Sequence, residues 1–240
     1  MIRLPLLDAD APDWFPDPAR ALHTPNGLLA FGGDLFPARL LAAYRRGIFP
    51  WFSAGEPILW WSPDPRCVFH TAKLTANRSL RRALAGTAWH VTVDRDFARV
   101  MHACAAPRPD QSGTWISPAM IDAYTALHAL GHAHSVEVWD GAQLVGGIYG
   151  VAVGRLFCGE SMFSARSGGS KLALVALARL LREHGAPLLD AQVSNPHLLS
   201  LGAIEMPRAS FLAQVAELGA LPLDPAIWRR FGEQSAGDFL

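Results

Sequence analysis

The run LALVALARLL at residues 172–181 is apolar on every side of a helix except at Arg179. A helix that is hydrophobic nearly all round cannot lie on a surface and has to be covered by other layers. Gly185 closes it, and residues 188–194, LLDAQVS, follow with Leu189, Ala191 and Val193 alternating with Asp190, Gln192 and Ser194. That alternation predicts a strand with one apolar and one polar face. Ahead of the helix, LVGGIYGVAV and LFCGESMFS read as two strands, and the second drops Glu160 between Cys158 and Met162. Moving an ionised carboxylate from water into such surroundings costs on the order of several kcal/mol unless it is paired. Asp190 and Glu160 on short apolar strands therefore point to a task, since perturbed titratable groups gather at functional sites. The plainer reading places both at strand ends, facing water.

With 240 residues, 50% hydrophobic and 18% charged, the chain has enough apolar material for one main core and a small companion. The start, MIRLPLLDADAPDW, is broken by Pro5 and then turns acidic, so it lacks the apolar region of a signal peptide. No run of about 18 apolar residues follows, so no membrane partner and a cytoplasmic location are expected. Cys67, Cys104 and Cys158 are odd in number and far apart, which predicts reduced thiols and gives no CxxC spacing. His132 and His134 would share a strand face, but no third ligand stands near them in sequence, so no metal is expected. Net charge is zero, so a nucleic-acid partner would have to be held by a local basic patch.

Residues 1 to 65 hold more than half of the 18 prolines, along with several aromatic clusters. They read as a small, turn-rich N-terminal domain over 1–64, joined by the SPDP linker (residues 62–65) to a main domain over 65–240. Pro37 starts its one clear helix and Gly47 stops it. Trp51, in GIFPWFS, is either part of a mini-core or a surface on which a base stacks. Between Pro65 and Val93 there is no acid, yet Arg66, Lys73, Arg78, Arg81 and Arg82 are present, which predicts the basic patch. With Thr75 or Asn77 as cap and Gly86 as stop, Arg78, Arg81 and Arg82 share one helix side, opposite Leu80 and Leu84. That face suits phosphate contacts, the alternative being a merely solvated helix.

Trp115, beside Gly113 in a loop, offers a second stacking platform or a packing anchor. Ser117 and Pro118 then open a helix that runs to Gly131. Asp140 and Gly141 make a tight hairpin, so three antiparallel strands are expected up to Ser164. Gly146, Gly147 and Gly150 in the middle strand predict a bulge or the close approach of a ligand. Gly168 and Gly169 leave free N–H groups at the start of the apolar helix for an anion or a carbonyl.

This order of elements predicts an α+β domain similar to the acyl-CoA-dependent N-acetyltransferases (GNAT). The strings GDLFPARLLAAYRRGIFPWFS, ILWWSPDPR, GTWI, LHALGHAHSVEVW, LVGGIYGVAVGRLFCGESMFS and DAQVSNPHLLSLGA go further and closely resemble the leucyl/phenylalanyl-tRNA protein transferases, over nearly the whole chain. The resemblance implies a small N-terminal domain on a GNAT-like mixed-sheet domain. It implies transfer of the amino acid of Leu-tRNA or Phe-tRNA to a protein or peptide with N-terminal Lys or Arg, which enters the N-degron degradation pathway. It implies no cofactor, neither metal nor CoA. Residue by residue, the family's adenosine sandwich falls on Trp51 and Trp115, and its amino-acid pocket on Glu160 and Met162, with Phe157 also on the substrate side. The reaction centre falls on Asp190 and Gln192, with Ser194 beyond them as a substrate contact, and tRNA would lie on Arg78, Arg81 and Arg82. The chain departs from the family pattern at Phe36, Ala165, Gly168 and Gly169.

On this reading Asp190 accepts the proton of the attacking amine or aligns its ammonium, Gln192 hydrogen-bonds the reacting carbonyl, and Glu160 fixes the α-ammonium of the esterified residue. Met162 adapts the pocket to Leu and Phe. Two rivals stand beside it. A GNAT acetyltransferase would need acetyl-CoA and an RxxGxG/A loop, of which ARSGGSK is a partial version. A non-catalytic module binding tRNA or basic peptides would need neither Asp190 nor Gln192. Ser161 is a poor nucleophile candidate because GESMF lacks the second glycine of an elbow.

Overall fold

The computed structural model describes residues 4–107 and 114–240, so part of the loop before Trp115, Gly113 included, lies outside the described residues. The chain opens with β1 (Leu6–Leu7) and β2 (Leu28–Gly32), passes through α1 (Pro37–Tyr44), and returns as β3 (Phe49–Pro50) and β4 (Leu59–Trp61). These strands pair in the order β1-β2-β4-β3. Pro37 takes the first turn of α1 as expected, but Phe36 at the cap has no side chain able to accept a hydrogen bond. Asp34 substitutes for it: its Oδ1 accepts from the Phe36 N–H at 2.9 Å and its Oδ2 from Arg39 Nε at 3.0 Å. Arg39 is fully buried and also donates to the Asp8 carbonyl at 2.5 Å, which ties the N-terminal segment to α1.

The larger part continues with β5 (Arg66–His70), α2 (Arg78–Leu84), β6 (Trp89–Val93), α3 (Phe97–Ala105) and α4 (Pro118–Ala129). Next come β7 (Ala133–Asp140), β8 (Gln143–Val153), β9 (Leu156–Ser164), α5 (Gly169–Glu183) and β10 (Leu188–Gln192). The chain ends with α6 (Pro196–Ser200), β11 (Ile204–Met206), α7 (Arg208–Ala220), α8 (Ala226–Arg230) and β12 (Gln234–Ser235). An 8-stranded sheet results, in the order β11-β5-β10-β9-β8-β7-β6-β12. The β7, β8 and β9 strands are antiparallel neighbours, as the hairpin signals predict. In contrast β10 runs parallel to β9. A parallel pair needs a crossover, and α5 supplies it. The architecture is therefore mixed α and β, with a small N-terminal unit.

The apolar run in α5 is buried on all sides, as its composition requires, with Leu172, Ala176 and Leu181 at 0% exposure. One face of the large sheet carries α5, with Leu80 and Leu84 of α2 and Trp228 of α8 in the same cluster. The other face carries a second cluster that joins Leu40, Tyr44 and Trp60 of the small unit to Tyr124, Tyr149 and Phe211. The small sheet thus shares its core with the large one. For that reason SPDP is not a loose linker: Ser62 is buried, its carbonyl accepts from Arg208 Nη1 at 2.7 Å, and Asp64 Oδ1 accepts from the Arg208 N–H at 2.9 Å.

Of the two readings offered for the β8 glycines, a bulge is present, since the ladders are irregular at Tyr149 and Gly150 and opposite Val138 and Trp139, while at Gly146 the close approach is made by the protein itself. A Cβ on Gly146 would collide with the Gly169 backbone, and one on Gly169 would meet Val145 and Gly146. What comes close is the first turn of α5 itself, and only two facing glycines permit it. Gly146→Ala should therefore cost about 1–3 kcal/mol, the usual penalty for overpacking. Thermal or urea unfolding measures it, and an unchanged midpoint would show that α5 sits further from β8 than described.

Candidate functional site

Register explains where the site opens. The last rung between β9 and β10 is Asp190 with Cys158. Beyond it β10 is irregular between Asp190 and Gln192, and Gln192 has φ +64, a left-handed conformation unusual for a side-chain-bearing residue. On the other side of the gap, β9 is irregular against Tyr149 and Gly150, where the rungs skip from Ser161 to Gly159 and leave Glu160 unpaired. Two irregularities facing each other at the end of a parallel pair turn side chains into the opening between the strands. Gln192 Nε2 crosses that opening to donate to Glu160 Oε1 at 2.6 Å.

Glu160 is held from the small unit as well. Tyr44 of α1 donates to its Oε1 at 2.7 Å and Tyr124 of α4 to its Oε2 at 3.0 Å, and the two tyrosine hydroxyl oxygens lie against each other, where with one proton apiece neither can donate to the other while both serve the ionised carboxylate. Both tyrosines are buried. Burial pushes the Glu160 carboxyl up to about 7, while the Tyr44, Tyr124 and Gln192 hydrogen bonds pull the other way and Asp190 adds to the rise. Burial, then the charge of Glu160, holds the Tyr44 and Tyr124 hydroxyls protonated. Tyr149 stands edge-on to Tyr124 with ring centroids 5.7 Å apart. Its hydroxyl is buried and has no hydrogen-bond partner among the described residues.

Asp190 is fully buried and paired with Arg66, whose Nε donates to Oδ1 at 2.8 Å and whose Nη2 donates to Oδ2 at 2.6 Å. The remaining nitrogen of Arg66 donates to the Gly47 carbonyl at 3.1 Å, and the guanidinium lies 4.7 Å from the Phe49 ring centre and 4.5 Å from that of Phe211. Asp190 Oδ1 also accepts from the Gln192 N–H at 2.9 Å, which holds the left-handed turn. Arg66 therefore does not belong to the basic patch in which its sequence neighbours place it. The signal that was available is its position: it opens a strand of buried residues, whereas Arg78, Arg81 and Arg82 lie on a helix. Tyr44 and Tyr124 lie on the helices that Pro37 and Pro118 open, and nothing in a helical period reveals a distant carboxylate.

Asp190, Gln192 and Glu160 are thus brought together. Phe157 and Met162 lie instead in the apolar cluster on the α5 side of the sheet, Phe157 at 1% exposure with its ring 5.7 Å from that of Trp228. Trp51 is 42% exposed, against Trp61, whose indole N–H donates to the Trp51 carbonyl at 2.6 Å. Trp115 packs, half-buried, against the core shared by the two sheets, as does Trp61. Ser194 is half-buried and its hydroxyl donates to Glu205 Oε1 at 2.5 Å. Asn77 caps α2, its Oδ1 accepting from the Leu80 N–H at 2.9 Å, and Arg78, Arg81 and Arg82 are exposed with no carboxylate partner among the described residues.

Two other sequence features end differently. The start of α5 is buried, the Gly169 N–H goes to the Arg166 carbonyl at 3.0 Å, and the Ser170 N–H to Ser164 Oγ at 2.8 Å. That helix end is closed to an anion. Of the two histidines, His132 stays apart while His134 meets Asp94 and His128, the ligand atoms all lying within 4.8 Å. The His134 ring faces Asp94 Oδ2 at 2.7 Å through Nδ1 and the Gly131 carbonyl at 3.2 Å through Nε2, so hydrogen bonds occupy both nitrogens.

The family model described as Leucyl/phenylalanyl-tRNA protein transferase matches residues 68–216, and that of the Leucyl/phenylalanyl-tRNA protein transferase N-terminal domain matches residues 33–64. A leucyl/phenylalanyl-tRNA--protein transferase of Xanthomonas axonopodis pv. citri (strain 306) is 60% identical over 233 residues, 96% of this chain and 94% of that one. One of Xylella fastidiosa (strain M23) is 57% identical over 228 residues, 94% of each. Among solved structures, a conserved protein of unknown function from Bacteroides thetaiotaomicron VPI-5482 superposes with a TM-score of 0.44 at 10% identity, over 60% of this chain and 57% of that one. That likeness is too slight to decide anything. The sequence relatives are decisive: this chain belongs to the leucyl/phenylalanyl-tRNA protein transferase family.

Proposed function

We propose that the chain transfers Leu or Phe from the 3′ end of an aminoacyl-tRNA to the α-amino group of proteins that begin with Lys or Arg, marking them in the cytoplasm for N-degron degradation. The observation that carries the reading is Glu160, a carboxyl poised at about 7 and 2.6 Å from the Gln192 amide, in a chain 60% identical to a named transferase. The GNAT-like description is supported by a parallel pair, β9 and β10, that parts at the site and is joined by a buried crossover helix. A division into 1–64 and 65–240 is supported by the two family matches, which end and begin at residues 64 and 68.

The chemistry asks for positioning more than for activation, because an aminoacyl ester is already reactive. Holding amine and ester about 3 Å apart supplies several kcal/mol of the barrier, of the roughly 7–11 that orientation can provide. The amine nitrogen attacks the ester carbonyl carbon, a C–N bond forms, the ester C–O bond breaks, and the 3′-hydroxyl of the tRNA leaves with a proton. The Gln192 amide has two N–H bonds; one goes to Glu160 and the other is available to the carbonyl oxygen as it gains charge. Of the two acids, Asp190 is the weaker candidate for the proton acceptor, because both its oxygens are engaged by Arg66. Its part is to hold the Gln192 turn, while Glu160 in its ionised form takes the amine proton or receives the ammonium. Trp51 and Trp115 would stack the terminal adenine, Phe157 and Met162 would border a side-chain pocket that reaches toward the α5 side of β9, where both pack, Ser194 would stand on the acceptor side, and the α2 arginines would meet phosphates. An acetyl-CoA-dependent reading is disfavoured by the closed N-terminus of α5.

Because ionised Glu160 is the working form, kcat/KM should rise with pH through about 7 and fall off below it. Tyr44→Phe removes a hydrogen bond that favours the ionised form, so it should move this limb to higher pH in steady-state transfer assays. A limb that stays in place would exclude Glu160 as the titrating group.

Arg66→Met leaves Asp190 buried without its partner and should destabilise the protein by about 3–5 kcal/mol, a fall on the order of 10 °C in thermal midpoint. The double change Arg66→Met with Asp190→Leu should regain much of that stability while transfer stays impaired, since Gln192 still lacks its anchor. Recovery of both properties together would mean that Asp190 has no part in the site.

Charge reversal at Arg78, Arg81 and Arg82 should weaken aminoacyl-tRNA binding and lower the slope of log affinity against log salt by about two. An unchanged slope in filter binding over a salt series would remove α2 from the tRNA surface.

A further inference from the structure

A transferase that selects N-terminal Lys or Arg has to meet a second positive charge, on the acceptor side chain, besides the reacting amine. Neither acid inside the site is left for that second charge, since Asp190 is tied to a cation of the protein and Glu160 is committed to the reacting amine. Asp190 is neutralised by Arg66, and Glu160 accepts three hydrogen bonds. Glu205 on β11 is different: it is exposed and has no cationic partner among the described residues. The Ser194 hydroxyl donates to its Oε1 at 2.5 Å, which fixes the carboxylate on the segment that leads out of the reaction centre.

Register gives its position. Glu205 pairs with Cys67, and Cys67 pairs on its other side with Gln192, so the three stand abreast across β11, β5 and β10. Glu205 and Cys67 project from the same face, whereas the irregularity between Asp190 and Gln192 turns the Gln192 side chain toward Glu160. Two strand spacings put the Glu205 backbone about 10 Å from that of Gln192. An extended lysine side chain reaches roughly 6 Å, which with the glutamate side chain spans that gap. The Cys67 thiol between them is raised to about 11, by burial first and then by Asp190 and Glu205, which is consistent with both acids lying close to it.

We infer that Glu205, oriented by Ser194, is the specificity-determining residue that receives the ammonium or guanidinium of the acceptor's first side chain while its α-amine reaches Gln192 and Glu160. This rests on the transferase reading above. It assigns Glu205 to recognition and not to bond making, so its signature belongs in KM for basic acceptors. The contact is charge-assisted, and Arg would engage the carboxylate through two N–H bonds.

The test compares one peptide sequence beginning with Lys, Arg or norleucine, the last an uncharged analogue of Lys, with Leu-tRNA as donor. Glu205→Gln should raise KM for the Lys and Arg peptides and reduce the Lys-to-norleucine ratio of kcat/KM about tenfold, the size of one charge-assisted hydrogen bond. Glu205→Asp should restore part of the ratio, and Ser194→Ala should lower it less than Glu205→Gln does. Thermal melts establish that each variant is folded. If the wild-type protein prefers Lys over norleucine and Glu205→Gln keeps the same ratio, Glu205 is not the selecting residue and the transferase reading stands. If the wild-type protein transfers to none of the peptides, the proposed function itself fails, and this inference with it.

Discussion

The buried ion pair between Arg66 and Asp190 is the interaction on which the rest of the site depends. A guanidinium and a carboxylate inside a protein are tolerable only when each is paired and its remaining hydrogen-bonding capacity is used. Here the pair is bidentate, the third nitrogen of Arg66 takes the Gly47 carbonyl, and the second lone pair of Asp190 Oδ1 takes the Gln192 N–H. One interaction therefore binds a turn of the small unit to β5, fixes the end of β10, and holds Gln192 in a backbone conformation that costs energy without such support. The aromatic faces of Phe49 and Phe211 close off the guanidinium from two sides.

The position of the site follows from the way the two sheets share one core. Glu160 comes from β9 of the large sheet, yet one of its two hydroxyl partners, Tyr44, comes from α1 of the small unit. The large part supplies the carboxylate and two of its donors, Tyr124 and Gln192, and the small unit adds the third. The same seam is fastened by Arg208, which bonds Ser62 and Asp64, so the crossing from the small unit to the large one is rigid. Pre-set geometry of this kind suits a reaction whose barrier is lowered mainly by holding two reactants in place. A carboxyl near neutrality can hold or give up a proton at little cost, which its burial and its three hydrogen bonds together arrange.

Much of this was legible in the chain itself. The apolar run 172–181 demanded a covered helix, and α5 is one. Ser117 and Pro118 marked the start of α4, Asn77 was one of two caps offered for α2, and Asp140 with Gly141 marked the β7–β8 hairpin. Glu160 and Asp190 stood out because acids do not belong on short apolar strands, and the structure brings both to Gln192 where β9 and β10 part. Local signals of this sort depend on residues within a few positions of one another, and periodicity and capping rules read them directly.

What escaped was everything set by distant partners. Arg66 looked like the first member of a basic stretch, and only β5 pairing beside β10 shows it facing Asp190, 124 residues away. Gly146 suggested a bulge or the approach of a ligand, and the neighbour that comes close is Gly169 across a layer boundary. The alignment of Glu205, Cys67 and Gln192 exists only because β11 and β10 flank β5. By itself the sequence determined which segments are helix or strand, which faces are apolar, and which carboxylates are out of place. Tertiary structure alone decided which cation pairs with which acid and which hydroxyls reach Glu160. Such pairings are fixed by strand order and register, and no short-range pattern encodes them.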